Sequence, residues 1–457
     1  MTAGTRKLFG TDGIRGVAGE SPLDPGTVYA IGLALGHSLK KKAPQPRVLL
    51  GRDTRESSPW IAATLAEALH QTGTKVESAG VVPTPGVAYL ARAHGFRAGV
   101  VISASHNPWH DNGIKLFGGD GFKLPDALEL AMEEEILFHA SKTTFADVKS
   151  LPPLEDKPAL QSDYIQYLHT SLPGLSLGTM KLVVDCANGA ASAIAPELFR
   201  RLNRDERATV TLLNVTPDGR NINANCGALH PGFVASEVKE RGATMGITFD
   251  GDADRCMLAD SRGNIINGDA ILLMAGRDLE ARGLLTGDLV VATTMSNMGL
   301  EAALKRSGIK MLRAPVGDRY VLEEMLKTKA ALGGEQSGHI LLPHLATTGD
   351  GMLTALVILE LVSRTGKSVD ELTADLKVFP QVIVNVKVRE KKPLAGIPAV
   401  AAAIQSAEEE LKDSGRVVVR YSGTEPLARV MIEAESNDAM KRHAEAIATA
   451  IRNELGA

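Results

Sequence analysis

The sequence predicts an α/β protein of four domains, three of them similar α/β mixed-sheet domains and the last a C-terminal α+β domain. Three observations carry that expectation. Short β-branched runs alternate with segments of helical period along most of the chain, the mark of βαβ units. That alternation restarts twice, after the break at Pro152, Pro153 and Pro158 and again after Gly268. The tail then changes character, with an alternating strand, a helix, two more strands and a long amphipathic helix. At roughly 150 residues per domain, 457 residues would suggest about three units; the pattern raises this to four, near 1–155, 156–262, 263–375 and 376–457.

The elements follow in order. Arg47–Gly51 reads as a strand, and Ser57–Gln71 as a helix with its stripe at Ile61, Leu65, Ala68 and Leu69. Lys75–Val82 is a strand, Pro85–His94 a helix, and Ala98–Ser103 an apolar, buried strand. In the second round come strand Lys181–Asp185, helix Ala191–Leu202, strand Ala208–Asn214, helix Phe233–Arg241 and strand Thr244–Phe249. In the third come helix Asp269–Ala281, strand Leu289–Thr294, helix Leu300–Ser307, strand Lys310–Ala314 and helix Tyr320–Lys329. The tail holds strand Gln381–Val388, helix Ala399–Leu411, strands Arg416–Tyr421 and Ala428–Glu433, and helix Asp438–Leu455.

Composition excludes several classes. With 50 Lys plus Arg against 54 Asp plus Glu, the net charge of −4 offers no basic surface for nucleic acid or an anionic membrane. Two Trp, six Tyr and ten Phe are too few for a base-stacking platform. The longest apolar run, near Met352–Val362, contains Glu360 and is far shorter than a membrane span. The first ten residues show no signal-peptide pattern, and Cys186, Cys226 and Cys256 are an odd, scattered set without C-x-x-C. Together these predict a cytoplasmic protein with reduced thiols.

Glycine is in excess, 45 of 457 residues, and the polar, glycine-bearing loops stand where ligands gather in α/β sheets, beyond the carboxyl ends of strands. Ser103-Ala-Ser105-His106-Asn-Pro108 follows a buried strand, and reads either as a polar turn or as a hydroxyl nucleophile on a stiffened one. Lys115 stands close behind as a cation for a phosphoryl group or a proton carrier. His106 and His110 are four apart, but Pro108 between them argues against a helical metal pair. Asp250-Gly-Asp252-Ala-Asp254-Arg255 offers three carboxylates at alternate positions, and reads either as a solvated acidic turn or, because they repel one another, as a set suited to a hard divalent cation; an EF-hand would need Glu where Ser261 stands. Gly333-Gly-Glu335-Gln-Ser337-Gly-His339 reads as an ordinary glycine turn or as a reader of sugar hydroxyls or an amine. Arg420-Tyr-Ser422-Gly423-Thr424 with Arg429 reads as a hairpin turn or a phosphate cradle. Gly366-Lys367-Ser368 lacks the leading glycine of a P-loop, and no pair of glycines completes a dinucleotide fingerprint.

Taken together, SASHNP, DGDADR, GEQSGH and RYSGTEP in this order resemble the α-D-phosphohexomutases, over a stretch from Phe9 to Arg429. Phe9-Gly-Thr-Asp-Gly-Ile-Arg15-Gly and the GEQSGH form look like the bacterial phosphoglucosamine mutase branch, the phosphomannomutase/phosphoglucomutase branch being the alternative. The resemblance implies four domains around one central cleft, with Ser105 as phosphoserine. It implies Mg²⁺, one per chain, on Asp250, Asp252, Asp254 and the Ser105 phosphate. Arg15, Lys115 and His339 would be catalytic, with His106 and Arg255 beside the phosphoserine. Glu335 and Ser337 would read the sugar, and Arg420, Ser422, Gly423, Thr424 and Arg429 the non-reacting phosphate. The implied reaction interconverts glucosamine 6-phosphate and glucosamine 1-phosphate through a 1,6-bisphosphate, feeding UDP-N-acetylglucosamine and cell-wall precursor synthesis. Glucosamine or glucose 1,6-bisphosphate would be the activator, a phosphosugar the small-molecule partner, and a kinase or autophosphorylation the source of the first phosphate. A homodimer is compatible with it. Two other readings remain at this stage: an aspartyl-phosphate phosphatase or mutase built on Asp250, and a non-catalytic sugar-phosphate-binding regulator.

Overall fold

The computed structural model describes residues 7–10, 12–41, 43–142, 151–422 and 426–457. They pack as two units, Met1–Met295 with Met311–Ala374, and Ser296–Lys310 with Asp375–Ala457.

Among the described residues, the first unit holds three sheets. The first runs, in spatial order, through strands Ile14–Val17, Asp111–Gly118, Ala98–Ile102, Arg47–Arg52 and Lys75–Val81. Its three last strands are parallel, and the Asp111–Gly118 strand joins antiparallel at Ala98–Ile102. Apolar side chains Val48, Leu50, Val100, Ile102 and Ile114 bury against Ile31 and Leu35, Leu65 and Leu69, and Met132 and Ile136. Those pairs belong to helices Pro25–Lys40, Ser58–Gln71 and Asp126–Ala140. On the sheet Gly51 and Gly99 let helix Thr84–Ala93 come close, because a Cβ would meet Val87 at 2.3 Å and 2.9 Å respectively.

The second sheet orders Ile265–Ile266, Cys256–Ala259, Met245–Phe249, Lys181–Asp185 and Thr209–Leu213, again parallel at its centre with an antiparallel edge. The third orders Lys310–Ala314, Leu289–Thr293, Leu332–Gly334 and Ile340–Leu341. Mixed sheets with helical crossovers are thus what the alternating pattern predicts.

Two local expectations are corrected. The stretch around Asn112, Gly113 and Lys115, for which the sequence pattern predicts no element, is the strand Asp111–Gly118. Its polar residues hid the strand because their partners lie elsewhere: Asn112 donates to Ser57 and Ser58 hydroxyls at 2.8 and 3.0 Å, and Lys115 is buried against carboxylates. The helix expected from Ala191 begins as a 3₁₀ turn, Ala190–Ala193, and turns α only at Ala195–Leu202, where Pro196 occupies the first turn. Helices Pro25–Lys40, Pro158–Ser171 and Gly351–Thr365 were not predicted. Ten residues of Pro25–Lys40 and ten of Gly351–Thr365 are buried, so neither presents the polar stripe that helical period needs.

The second unit is an antiparallel sheet of Gln381–Lys387, Leu427–Ala434 and Gly415–Tyr421, covered by helices Pro398–Leu411 and Asn437–Leu455. Helix Met298–Arg306 belongs to it as well. Asn297, at that helix's N-cap, donates to the buried Glu433 at 2.8 Å and to the Phe379 carbonyl at 3.0 Å. Arg416 pairs with the same carboxylate at 2.5 Å and donates to the Ser296 carbonyl at 2.7 Å.

Candidate active site

Ser105 sits just past the end of strand Ala98–Ile102, in a left-handed conformation with φ 52°. Holding a serine there costs on the order of 1–3 kcal/mol, and a dense buried network supplies the restraint. Arg55, fully buried, pairs with the buried Asp53 at 2.7 Å. Its remaining N–H groups donate to the carbonyls of Ser105, Asn107, Pro108 and Asp111. Asp53 also accepts from Ser58 and Ser103 hydroxyls, and Ser103 Oγ in turn accepts from Ser105 N at 2.9 Å. Asn223 Nδ2 donates to the Ser105 carbonyl at 2.9 Å. The Ser105 hydroxyl itself donates to Asp250 Oδ2 at 2.5 Å, with His106 Nδ1 at 3.2 Å.

The Asp250–Asp254 loop follows strand Met245–Phe249 and presses against the serine loop backbone to backbone. A Cβ on Gly251 would stand 2.4 Å from the Ser105 carbonyl oxygen. All three aspartates are buried, and one oxygen of each lies within 4.8 Å of the others. Burial pushes the Asp250 carboxyl well up, and the charges of Asp254 and Asp252 push it further. Burial also works against the charge on Asp254, but Lys115, His339 and Arg255 outweigh it and hold this carboxyl well below the usual range. Among the described residues, Oδ1 of Asp252 and of Asp254 have no hydrogen-bond partner. Crowded carboxylates with unmatched oxygens at a strand end fit a hard divalent cation.

Lys115 lies among these charges, its ammonium 2.8 Å from Asp252, 2.9 Å from Asp12 and 3.4 Å from Asp254. Burial disfavours its charge, yet the carboxylates of Asp12, Asp252 and Asp254 raise its pKa well above the ordinary value. A lysine so held remains an ammonium, which suits charge neutralisation better than proton transfer.

A cleft of about 810 Å³ opens beside this cluster, within the size range of small-molecule sites. Arg15, His106, Asp254, Arg255, Glu335, Ser337 and His339 all line it, so the sequence-predicted residues of the first unit converge. Ser105 is 1% exposed and stands behind this lining. Arg15 is on strand Ile14–Val17, paired with Asp12 at 2.6 Å. Burial, then Arg255 and Arg15, bring His106 down to about 4. His339 goes the other way: burial opposes its charge, but Asp254, Asp318 and Glu335 raise it to about 9. At neutral pH the first ring is uncharged, with one N–H and one accepting nitrogen, and the second is an imidazolium whose nitrogens only donate. Glu335 accepts from Gly317 N at 3.1 Å, and Ser337 donates to it at 3.4 Å. Gly338, φ 90°, allows this loop to turn against Cys256, whose carbonyl a Cβ would meet at 2.3 Å.

In the second unit Arg420 and Arg429 face each other across strands Gly415–Tyr421 and Leu427–Ala434. Ser422 N donates to the Leu427 carbonyl at 2.8 Å, and Lys391 donates to the Ser422 carbonyl at 2.7 Å. Gly423 and Thr424 lie outside the described residues.

Several site residues escaped the sequence reading. Asp53 and Arg55 stand in Gly51-Arg-Asp-Thr-Arg55, beyond the carboxyl end of strand Arg47–Arg52. The rule that found the other loops applies to them equally. Asp12 stands in the glycine-rich stretch Phe9–Gly16 and Asp318 beyond the strand Lys310–Ala314, while Lys123 had no such signal. In the fold Lys123 joins the other two at 2.6 Å each and lines the cleft with them. Thr84, just beyond the strand Lys75–Val81, donates to Asp252 Oδ2 at 2.5 Å.

Comparison with known proteins identifies the family. Profiles of the phosphoglucomutase/phosphomannomutase family match residues 6–142 (alpha/beta/alpha domain I), 162–263 (domain II), 267–379 (domain III) and 383–450 (C-terminal domain). The phosphoglucosamine mutase of Koribacter versatilis is 59% identical, over 100% of this chain and 99% of its own. That of Solibacter usitatus is 51% identical over 99% of each chain. The fold is shared with a phosphoglucomutase/phosphomannomutase family protein of Burkholderia thailandensis, TM-score 0.77 at 24% identity over 97% of both chains. It is shared also with the Aspergillus fumigatus N-acetylphosphoglucosamine mutase solved with GlcNAc-6P and magnesium, TM-score 0.63 at 18% identity over 98% of this chain and 96% of that one. Full-length identity and all four domain profiles together establish that the chain belongs to the phosphoglucomutase/phosphomannomutase family, the α-D-phosphohexomutases.

Proposed function

We propose that this chain is a phosphoglucosamine mutase, interconverting glucosamine 6-phosphate and glucosamine 1-phosphate with Ser105 as the phosphorylated residue. The observation that carries the reading is the Ser105 hydroxyl hydrogen-bonded to Asp250 at 2.5 Å, inside a carboxylate triad beside a cleft lined by charged groups of both signs. Relatives named phosphoglucosamine mutase, at 43–59% identity over nearly the full length, support the choice of sugar.

In this reading Asp250, Asp252, Asp254 and the Ser105 phosphate hold Mg²⁺, which when bound neutralises charge on the transferring phosphoryl group. Phosphoserine 105 gives its phosphoryl to the sugar 1-hydroxyl: the Oγ–P bond breaks and an O1–P bond forms. The 1,6-bisphosphate turns round, and its 6-phosphoryl returns to Ser105. Such transfer needs positioning and charge compensation more than covalent help. Lys115, a buried cation held by carboxylates, supplies part of that compensation, and Arg255 and Arg15 supply more from the cleft wall. The proton given up by the 1-hydroxyl ends on Ser105 Oγ, where it rests in the hydrogen bond to Asp250, and it passes to the sugar O6 as the O6–P bond breaks and the Oγ–P bond re-forms. His339, protonated at neutral pH, donates to an oxygen of the ligand. Glu335 and Ser337 receive the sugar hydroxyls or amine. Arg420, Ser422, Gly423, Thr424 and Arg429 hold the phosphate that is not reacting. Four domains near 1–155, 156–262, 263–375 and 376–457, a cytoplasmic location, a 1,6-bisphosphate activator, a homodimer, and priming by a kinase or by autophosphorylation belong to the same reading.

The test is chemical. Incubated with glucose 1,6-bisphosphate, the protein should gain one phosphate on Ser105 that survives hydroxylamine, and Ser105→Ala should neither gain it nor turn over. Phosphate lost to hydroxylamine, or a Ser105→Ala enzyme near wild-type rate, would reject the assignment.

A further inference from the structure

A second cluster of metal-ligating side chains lies outside the cleft lining. His37 stands in the last turn of helix Pro25–Lys40, and Glu135 and His139 occupy the last turns of helix Asp126–Ala140. The four-residue spacing of Glu135 and His139 puts both on one helix face. Packing of the two helices brings His37 to them from 98 residues away in sequence. His37 Nδ1 is 2.7 Å from Glu135 Oε1, His139 Nε2 is 3.7 Å from the same oxygen, and ligand atoms of all three lie within 4.8 Å of one another.

The spacing suits a particular coordination. Imidazole nitrogens and carboxylate oxygens bind Zn²⁺ at about 2.0–2.2 Å, so neighbouring corners of a tetrahedral site lie about 3.3 Å apart. The two measured separations straddle that value. The imidazole planes are inclined at 49° with centroids 5.5 Å apart, so the rings are not stacked face to face. Both helices end at this cluster, and the carbonyl ends of two helices favour a cation. Two imidazoles with one carboxylate are the donor set of a borderline first-row ion, not of Mg²⁺. Side-chain exposures of 43%, 27% and 23% leave the cluster open to an ion from solvent.

We propose that His37, Glu135 and His139 form a binding site for a first-row divalent cation of the Zn²⁺ class, separate from the aspartate triad. It takes the ion through three protein ligands, with water or another small ligand completing the coordination, and clamps the ends of helices Pro25–Lys40 and Asp126–Ala140 together.

The probe is Zn²⁺ alone, titrated calorimetrically into the full chain under excess Mg²⁺. Wild type should bind one Zn²⁺ more than His37→Gln and one more than Glu135→Gln, and its melting temperature should rise with Zn²⁺ where theirs does not. A measurement on unaltered protein guards against misfolded variants: Zn²⁺ should protect His37 and His139 from diethylpyrocarbonate, read by peptide mapping. Equal stoichiometry in wild type and both variants, or modification of His37 and His139 unaffected by Zn²⁺, would overturn the proposal.

Discussion

Replacing Arg55 by lysine keeps the charge and removes the geometry. The guanidinium has five N–H donors and all are used: one on Asp53, two on the Pro108 and Asp111 carbonyls, two on those of Ser105 and Asn107. An ammonium has three, so two acceptors lose their donor. Each such charge-assisted bond contributes about 1.5–3 kcal/mol, giving a loss of about 3–6 kcal/mol if nothing replaces them. Asn223 already reaches the Ser105 carbonyl at 2.9 Å and that of Asn107 at 3.4 Å, which places the cost near the lower end. At roughly 2 °C per kcal/mol for a large unit, the first melting transition should fall by roughly 6 °C. Turnover should suffer as well, because the same bonds hold Ser105 at its positive φ. A serine relaxed out of line by even 1.4 kcal/mol loses about tenfold in kcat, with KM for the sugar phosphate little changed. Calorimetry and steady-state kinetics on one preparation check both. An unchanged melting point with unchanged kcat would refute the idea that this arginine positions the nucleophile.

Gly251→Ala should lower kcat while the protein still folds, since its methyl would stand 2.4 Å from the Ser105 carbonyl and 2.8 Å from Asn223 Nδ2. Overpacking of this kind costs about 1–3 kcal/mol, and wild-type kinetics would show that the two loops are not in register contact. Asp252→Asn should raise the Mg²⁺ concentration for half-maximal activity by at least about tenfold, the usual order for a weakened metal site, and EDTA should abolish wild-type activity; indifference to both removes the metal from the reaction. Asp350 caps helix Gly351–Thr365 and accepts from Tyr164 at 2.8 Å. Burial raises its carboxyl to about 6 from 3.8. A raised carboxyl favours the protonated fold, so its contribution is present below pH 4 and is lost as pH climbs through about 6. Two units correspond to about 3 kcal/mol at most. Asp350→Asn should therefore flatten the stability profile between pH 4 and 6, and a profile parallel to wild type would contradict the assignment.

Much of this site could be read without coordinates, for a physical reason. Ser105 and Asp250 stand at or just beyond carboxyl ends of strands whose apolar runs announce themselves, so local pattern and ligand position coincide, whereas the short strand Leu332–Gly334 before Glu335 carries no such run. Elements buried on several sides hid instead. Helix Gly351–Thr365 reads only as an apolar run, and strand Asp111–Gly118 begins with residues that favour turns. Long-range pairing was illegible in principle. Lys123 meets Asp12 and Asp318 across 111 and 195 residues, and His37 meets Glu135 across 98. No spacing rule reports on such distances. Asp53 and Arg55 are the instructive miss, because their position beyond a strand was visible and their role as a brace depended on carbonyls that sequence does not show.

The Asn297–Glu433 bond has a consequence for how this protein can be cut and recombined. The segment that carries Asn297 is encoded between two stretches of the first unit, so the second unit is not a contiguous piece of gene. A fragment beginning at residue 375 would retain the three-stranded sheet yet leave behind the helix Met298–Arg306 and the amide that meets Glu433 in the interior. Shuffling of this region among relatives therefore has a natural partner constraint: residues 296–310 must travel with the C-terminal sheet they pack on, whatever lies between them in the reading frame.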